Sequence, residues 1–147
     1  MAHALARIDS HRAVGPDISF EAVCSVADLI DNPIAILDLD GRLRHLNPAY
    51  ERLIGRTTGE LRGHPVEDVL PATGRSRRRQ LVRGMRLFAA LLETGSARAV
   101  FPNQRPDGSI VQVEVVAQVF RREDPGGSWI LALLKDLGPE ISQLDGR

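Results

Sequence analysis

Residues 34–63 read IAILDLDGRLRHLNPAYERLIGRTTGELRG, and this stretch decides the fold. It opens with an apolar run, Ile34 to Leu37, that is typical of a strand covered on both faces. Asp40-Gly41 follows, a dipeptide that favours a two-residue type I′ hairpin turn because both residues tolerate positive φ angles. Polar and apolar residues then alternate over 42–46. The stretch therefore predicts a β-hairpin with strands over 34–39 and 42–46.

Two short helices are predicted in the second half of this stretch. Asn47 is a preferred N-cap residue, and Pro48 suits the first helical position because the N–H that proline lacks would have no partner there. Thr57 and Glu60 have the spacing of a capping box, in which each side chain accepts a hydrogen bond from the other residue's backbone. Gly63 can end the second helix. Helix starts are therefore expected at Asn47 and Thr57.

The rest of the chain alternates between helical and strand patterns. Residues 1–18 show little periodicity and are predicted to form a flexible tail. Further elements are predicted in this order: a helix over 19–30, one helical turn over 66–70, a long helix over 75–93, and strands over 97–104, 110–121 and 129–135. The expected class is α+β, a five-stranded antiparallel sheet with helices on one face and an N-terminal flanking helix. The domain would span 19–137, with a linker or helix starting in 138–147.

The predicted long helix has an apolar side and many arginines. Leu81, Met85, Phe88 and Leu92 recur at helical spacing, so they are predicted to face the core. The arginines lie mostly off this side: Arg75, Arg77, Arg78, Arg79, Arg83 and Arg86. They form either a solvated helix face or a site that holds a phosphate or carboxylate by bidentate contacts. The solvated face is favoured because the overall charge balances and no aromatic residue interleaves.

Composition excludes several classes of protein. The 147 residues are 43% hydrophobic and 26% charged, which is ordinary for a soluble globular domain. Nineteen basic and nineteen acidic residues cancel, so neither nucleic acid nor a membrane surface is an expected partner. The single cysteine, Cys24, excludes an internal disulfide. No apolar run has the length of a membrane span and the N-terminus lacks a secretory signal, so a cytoplasmic location is expected.

Five short motifs follow one another along the chain: Asp40-Gly41; Asn47-Pro48-Ala49; Gly55 followed by Thr57 and Glu60-Leu61-Arg62-Gly63; Asp107-Gly108-Ser109; and Asp136-Leu137-Gly138-Pro139-Glu140. In this order the chain resembles PAS domains, the sensory and dimerisation modules of many bacterial signalling proteins. The resemblance extends over roughly residues 20–137. No single motif is specific, but their order and spacing together indicate the family. The resemblance implies the PAS fold, whereas ligands and functions vary within the family.

The end of the domain departs from the family pattern. Gly138-Pro139 either weakens rigid coupling to a following signalling helix or places Pro139 in the first turn of that helix, where Ile141 and Leu144 would start an apolar side. The sequence ends at Arg147, before any effector. We therefore expect either an excised sensor region or a module that pairs with another chain.

The resemblance also allows cofactors to be weighed. Haem-binding PAS domains carry an axial histidine on the long helix, but the predicted long helix has none, and His45 and His64 are expected to be exposed or hydrogen-bonded. Light-sensing relatives hold flavin beside a reactive cysteine in an Asn-Cys-Arg-Phe-Leu-type helix, which this chain lacks, since Cys24 precedes the first strand. His3 and His11 lie in the tail, and no ligand spacing indicates a metal. No cofactor is predicted: haem and flavin are disfavoured, and an unknown small molecule is left open as a ligand.

No catalytic constellation is evident in the sequence. Ser109 and Ser128 lie at turns without a nucleophile elbow. Carboxylates that in principle pair as acid and base are scattered along the chain at Asp38, Glu51, Asp68 and Glu114. We therefore expect a binding module rather than an enzyme.

A ligand pocket is expected between the inner sheet face and the helices. Its predicted lining is Leu37, Tyr50, Leu53, Met85, Phe88, Phe101, Val113, Val115 and Leu131. Met85 would be adaptable filling, and the Tyr50 hydroxyl would orient a ligand. The alternative is that these residues pack against one another without a cavity.

The helix over 19–30 carries a second hypothesis. In many PAS proteins the segment before the first strand lies across the outer sheet face and pairs two subunits. The predicted contact residues are Phe20, Val23, Val26 and Ile30 of this helix, with Trp129 and Leu133 of the sheet. An open apolar sheet face is an interaction patch. The alternative is that the helix only covers its own sheet.

The expected function is that of a non-catalytic sensor domain. It would form a homodimer and relay the state of a small molecule or partner to an effector, such as a kinase, a cyclic-nucleotide enzyme or a transcriptional regulator. One alternative is a protein-interaction module with a filled core and no ligand. A small enzyme that uses the pocket is a weaker alternative.

Overall fold

The computed structural model describes residues 19–71, 77–122 and 127–139. Its elements, in chain order, are α1 (Phe20–Ala27), β1 (Ile34–Leu37), β2 (Leu43–Leu46), α2 (Pro48–Ile54), α3 (Thr58–Leu61), a 3₁₀ helix (Val66–Val69), α4 (Arg77–Thr94), β3 (Ser96–Gln104), β4 (Ile110–Phe120) and β5 (Trp129–Pro139). The strands form one sheet in the order β2-β1-β5-β4-β3, and every neighbouring pair is antiparallel. The predicted class and sheet are confirmed. The predicted tail over 1–18 lies outside the described residues.

The sheet separates two hydrophobic clusters because successive residues of a strand point to opposite faces. On the inner face, residues such as Leu37, Val113 and Ile130 pack against α2, α3 and α4. On the outer face, Ile36 and Trp129 pack with Ala27 of α1. All four residues of β1 are buried, as predicted for a strand covered on both sides. Helices therefore occupy one face, and α1 flanks the other.

The β1–β2 connection differs from the predicted type I′ turn. The backbone N–H of Asp38 donates to the carbonyl of Arg42 at 3.0 Å. Gly41 has φ +84°, whereas no non-glycine residue in the described part has a positive φ. The connection is thus a three-residue loop with glycine in its left-handed position. The Asp38 side chain explains the wider loop, because its Oδ1 accepts hydrogen bonds from the N–H groups of Asp40 and Arg42.

The predicted helix caps are confirmed. Asn47 Oδ1 accepts a hydrogen bond from the N–H of Tyr50 at 3.1 Å, and Pro48 occupies the first position of α2. Thr57 and Glu60 form both hydrogen bonds of a capping box at the start of α3. These local signals therefore position the two short helices over the inner face.

Asn47 also joins three elements of the fold. It is fully buried, and its Nδ2 donates to the carbonyls of Ala27, Ile30 and Asn32 at 2.9, 3.1 and 2.9 Å. Its Oδ1 also accepts from the N–H of Ile34 at 2.8 Å. The segment after α1 turns its carbonyls toward this amide. As a result α1 ends at Ala27 rather than at residue 30 as predicted.

The last strand is longer than predicted. Gly138 and Pro139 pair with Gln112 and Val111 of β4, so β5 continues to Pro139. The alternative that placed Pro139 in the first turn of a helix is therefore wrong. A bulge beside Gln112 and the positive φ of Gly138, 89°, accommodate the extension. Among the described helices, none is long and apolar enough to cross a membrane.

Candidate functional site

The inner face brings together most of the predicted pocket residues. Seven of the nine lie on this side of the sheet: Leu37, Tyr50, Leu53, Phe88, Phe101, Val113 and Val115. Leu37, Tyr50 and Val113 are buried within one cluster, and Leu53, Phe88 and Val115 pack against it. That they enclose a ligand stays a prediction.

A buried polar pair lies among these apolar residues. The Tyr50 hydroxyl donates to Asn103 Oδ1 at 2.7 Å, and Asn103 Nδ2 donates to the carbonyl of Pro102 at 2.8 Å. Burial raises the pKa of Tyr50 well above its ordinary value because the phenolate would lose its solvation. The hydroxyl is therefore a permanent donor. Sequence reasoning missed Asn103, although its position two residues after Phe101 places it on the same strand face.

Two predicted lining residues lie elsewhere, so the prediction is wrong for them. Met85 is 72% exposed, because the inward direction of α4 is set by Phe88 and the buried Leu91. Leu131 packs in the outer cluster beside Trp129. Its neighbour Ile130 points inward, and alternate residues of a strand face opposite sides.

Two open clefts lie away from the packed interior. One has a volume of about 230 Å³ and lies where α2 ends beside the β3–β4 turn, with Arg56 and Arg105 among its lining residues. The other has a volume of about 490 Å³ and lies between α1 and β2, with Cys24, Arg44 and His45 among its lining residues. None of the nine predicted pocket residues lines either cleft.

Polar contacts along the larger cleft hold α1 on the sheet. His45 Nε2 lies 2.7 Å from Asp28 Oδ1. The guanidinium carbon of Arg44 lies 4.3 Å from the centre of the Phe20 ring, a cation–π distance. Outside this cleft, His64 Nδ1 lies 3.0 Å from Asp68 Oδ2. His45 and His64 were expected to be either exposed or hydrogen-bonded, and both are hydrogen-bonded.

Cys24 lies on α1 in the outer cluster. Burial raises the pKa of its thiol, and the negative charge of Asp28 adds to this effect. The neutral thiol is therefore the favoured form. Because the sheet separates α1 from the inner helices, Cys24 lies on the face opposite the predicted pocket.

Three of the six predicted dimer contacts are used within the chain. Trp129 is 3% exposed and lies against Phe120, with ring centroids 4.7 Å apart. It is therefore covered by α1 and not available to a partner, so the prediction is wrong for Trp129. Phe20 and Val23 are partly buried against the same cluster.

The other three predicted contacts are exposed. Val26, Ile30 and Leu133 have 59%, 39% and 39% of their surfaces exposed. Sequence reasoning missed two more residues of this kind, Leu29 at 83% and Val116 at 36%. Val116 lies directly opposite Leu133 in the β4–β5 pairing. We call these five residues the outer apolar patch.

The carboxylates weighed as catalytic groups each have a separate structural partner. Glu51 accepts from the N–H of Thr58 at 2.7 Å, and Glu114 lies 3.5 Å from Arg98. Asp38 and Asp68 hold the β1–β2 loop and His64. Across residues 19–71, 77–122 and 127–139, no group of three or more His, Cys, Asp and Glu could hold a metal ion.

Comparison with known proteins places this arrangement in a family. The sequence profile of the PAS fold family matches residues 27–135. The sequence matches no curated protein. In structure, the chain is similar to the PAS domain of a protein from Colwellia psychrerythraea, with 18% identity, a TM-score of 0.66, and coverage of 80% of this chain and 96% of that one.

Two further solved structures share the fold. A LOV protein of Rhodobacter sphaeroides is 19% identical, with a TM-score of 0.63 and coverage of 81% of this chain and 67% of that one. The PAS domain of a LuxR-family transcriptional regulator from Burkholderia thailandensis, in complex with ethanol, is 17% identical, with a TM-score of 0.59 and coverage of 82% and 98%. With five antiparallel strands, inner helices and a profile match over most of its length, the chain belongs to the PAS fold family.

Proposed function

We propose that this chain is a non-catalytic PAS sensor module that forms a homodimer through the outer apolar patch and relays the state of a ligand or partner to an effector. The exposure of that patch carries the proposal: Val26 and Leu29 are 59% and 83% exposed, beside a sheet face where Leu133 and Val116 are also open. Neighbouring exposed apolar side chains indicate an interaction surface. A cytoplasmic location is part of the proposal and fits the single cysteine.

The contacts of α1 suggest how the relay would work. Asn47 binds the carbonyl of Ala27 at the end of α1 and that of Ile30 after it, and also caps α2 through the N–H of Tyr50. Tyr50 in turn belongs to the inner cluster. A change of packing around Tyr50 would therefore alter the contacts of Asn47 and the position of α1. Ligand or partner binding would shift the population between two positions of α1.

Sedimentation velocity over a range of concentrations tests the dimer. We expect the wild-type chain to dimerise and the double variant Val26→Glu with Leu133→Glu to be monomeric, because both charges would be desolvated in the interface. Met85→Glu, on the opposite side of the molecule, is the matched control and should stay dimeric. A wild-type monomer at all concentrations, or a double variant that still dimerises, would disprove the pairing surface.

The buried Tyr50–Asn103 pair supports a second function, small-molecule binding on the inner face. A polar pair in an apolar interior is the kind of group that orients a ligand. The ethanol complex of the similar domain from the Burkholderia thailandensis regulator points in the same direction. Native mass and absorbance of freshly purified protein test this: extra mass or colour that Tyr50→Phe reduces supports a ligand. A measured mass equal to that of the chain alone would instead favour an interaction module with a filled core.

A further inference from the structure

The outward side of α4 carries apolar residues between arginines. Val82 and Met85 are 40% and 72% exposed, and Ala89 is exposed as well. Helical spacing places residues 82, 85 and 89 on one side, turned away from the buried Leu91. Three exposed arginines flank them. We call the six residues the α4 stripe: Arg78, Val82, Met85 and Ala89, with Arg79 and Arg86 alongside.

The positive charge of α4 is not balanced within the helix. The helix contains five arginines, and its one acidic residue is Glu93, near the C-terminal end. Arg77 and Arg83 donate to the carbonyls of Pro71 and Val100 at 2.7 and 2.9 Å. By contrast, the arginines of the α4 stripe make no ion pair with any residue in the described ranges. Within the part of the chain that the structure describes, these three guanidinium groups therefore have no ion-pair partner.

The positions of Arg78 and Arg79 also oppose the helix dipole. The first turn of α4 has no acidic residue and contains Arg78 and Arg79, whereas the partial positive charge of a helix N-terminus favours anions. Arginines in this position lower the stability of the isolated helix. A partner that brings negative charge would reverse this effect.

We infer that the α4 stripe is a docking site for an acidic amphipathic segment of a partner protein. An apolar side chain of the partner would contact Val82 and Met85, and its carboxylates would pair with the flanking arginines. Guanidinium groups bind carboxylates by two parallel hydrogen bonds, and methionine adapts to apolar partners of varied shape. Both residue types are enriched in protein interfaces. This inference goes beyond the dimer, because α4 and α1 lie on opposite faces of the sheet and both surfaces can be occupied at once.

The chemistry of the α4 stripe favours a protein partner over other anions. Helices that lie in a membrane surface present a broad apolar face with Trp, Phe or Leu, whereas this stripe offers one valine, one methionine and one alanine. Proteins that bind single-stranded nucleic acid stack bases on aromatic side chains, and the α4 stripe has none. An apolar centre ringed by arginines instead matches a segment that alternates apolar and acidic residues.

Fluorescence anisotropy with a labelled synthetic helix tests the site. The probe consists of Leu-Glu-Glu-Leu-Leu-Glu-Glu repeats. We expect the full chain to bind it, with affinity falling by about tenfold or more in both Met85→Glu and Arg86→Glu. Arg52→Glu is the matched control, since Arg52 is an exposed arginine on α2, and it should change the affinity by less than about twofold. Circular dichroism verifies that each variant is folded.

Several outcomes would overturn the inference. The inference fails if the chain does not bind the probe, or if Met85→Glu, Arg86→Glu and Arg52→Glu all bind it with the same affinity. It also fails if the chain binds polyglutamate, which has charge but no apolar residue, as tightly as it binds the probe. Tighter binding to phosphatidylserine vesicles or to DNA would assign the site to a membrane or to nucleic acid. Conversion of a dimer to a monomer by Met85→Glu would assign the site to a second copy of the chain. The outer-patch double variant should still bind the probe, so failure of the dimer proposal and failure of this one are distinguishable.

Discussion

The Tyr50 hydroxyl donates a hydrogen bond of 2.7 Å to Oδ1 of Asn103 across the inner face of the sheet. The bond joins α2 to the edge strand β3, and the two side chains are only 3% and 2% exposed. Their surroundings are apolar, and a buried polar group without a partner costs free energy. The pair therefore fixes the position of α2 relative to β3.

Removal of the Tyr50 hydroxyl should destabilise the fold. In Tyr50→Phe, Asn103 Oδ1 loses its donor while the ring still fills its space. We expect the free energy of unfolding in urea to fall by about 1–3 kcal/mol. The variant Asn103→Ala and the double variant complete a cycle, and the double variant should cost less than the sum of the two single ones. Additive losses would show that the two side chains do not act as a pair.

Substitution of Asn47 should lower the stability of the fold more than substitution of Tyr50. Asn47→Ala removes five hydrogen bonds, including the cap of α2 and those to the carbonyls after α1. The cap alone contributes about 1 kcal/mol, and each orphaned buried group adds about 1 kcal/mol or more. We expect a loss above about 3 kcal/mol in urea unfolding. Asn32→Ala, whose side chain makes one long bond of 3.5 Å, is the control, and an equal loss there would refute the account.

Elements governed by sequence neighbours could be predicted, because their determinants lie within a few residues. The caps at Asn47 and Thr57 depend on side chains bonding to backbone groups three residues away, and both are confirmed. The hairpin at Gly41 was also predicted, but its type was not. There the Asp38 side chain bonds to the loop and outweighs the preference of Asp-Gly for a type I′ turn.

Features set by tertiary packing could not be predicted in the same way. The apolar side predicted for α4 included Met85 and not Leu91, and only contact with the sheet decides that Leu91 is buried and Met85 exposed. Leu131 and Trp129 share the outer face because of the register of β5, which the sequence pattern of a nearly continuous apolar strand does not reveal. The partner of Tyr50 is 53 residues away, a distance at which no local signal operates.

Gly55 should tolerate substitution less well than Gly63. Both have positive φ angles, 72° and 85°, but a Cβ on Gly55 would lie 2.3 Å from Pro106 Cγ, whereas one on Gly63 would meet nothing within 4 Å. Gly63→Ala should therefore lower the stability of the fold only by the cost of placing a non-glycine residue in the left-handed conformation, about 1–2 kcal/mol. Gly55→Ala should lose about 1–3 kcal/mol more through the steric clash. Thermal unfolding measures both, and equal losses would mean that Pro106 moves aside freely.

Glu60 should make stability depend on pH. Hydrogen bonds from the backbone N–H and hydroxyl of Thr57 hold the pKa of the Glu60 carboxyl below its ordinary value of 4.5. Because the folded state has the lower pKa, the stabilisation is present above about pH 4.5 and is lost as the pH falls through the folded pKa. Glu60→Gln keeps an acceptor oxygen but cannot titrate. Its stability should therefore fall less than that of the wild type between about pH 5 and about pH 3, and parallel curves would contradict this origin.

Arg78 should reveal whether α4 is optimised for stability or for binding. It lies in the first turn, where its charge opposes the helix dipole, and it has no ion-pair partner in the described part of the chain. Arg78→Glu should therefore raise the free energy of unfolding by about 1 kcal/mol while it weakens binding of the acidic probe. Arg86→Glu, in the middle of the helix, should weaken binding without stabilising the fold. A gain in stability with a loss of binding would fit a residue that is kept for function at a cost in stability. A loss of stability in Arg78→Glu would show instead that this arginine supports the helix.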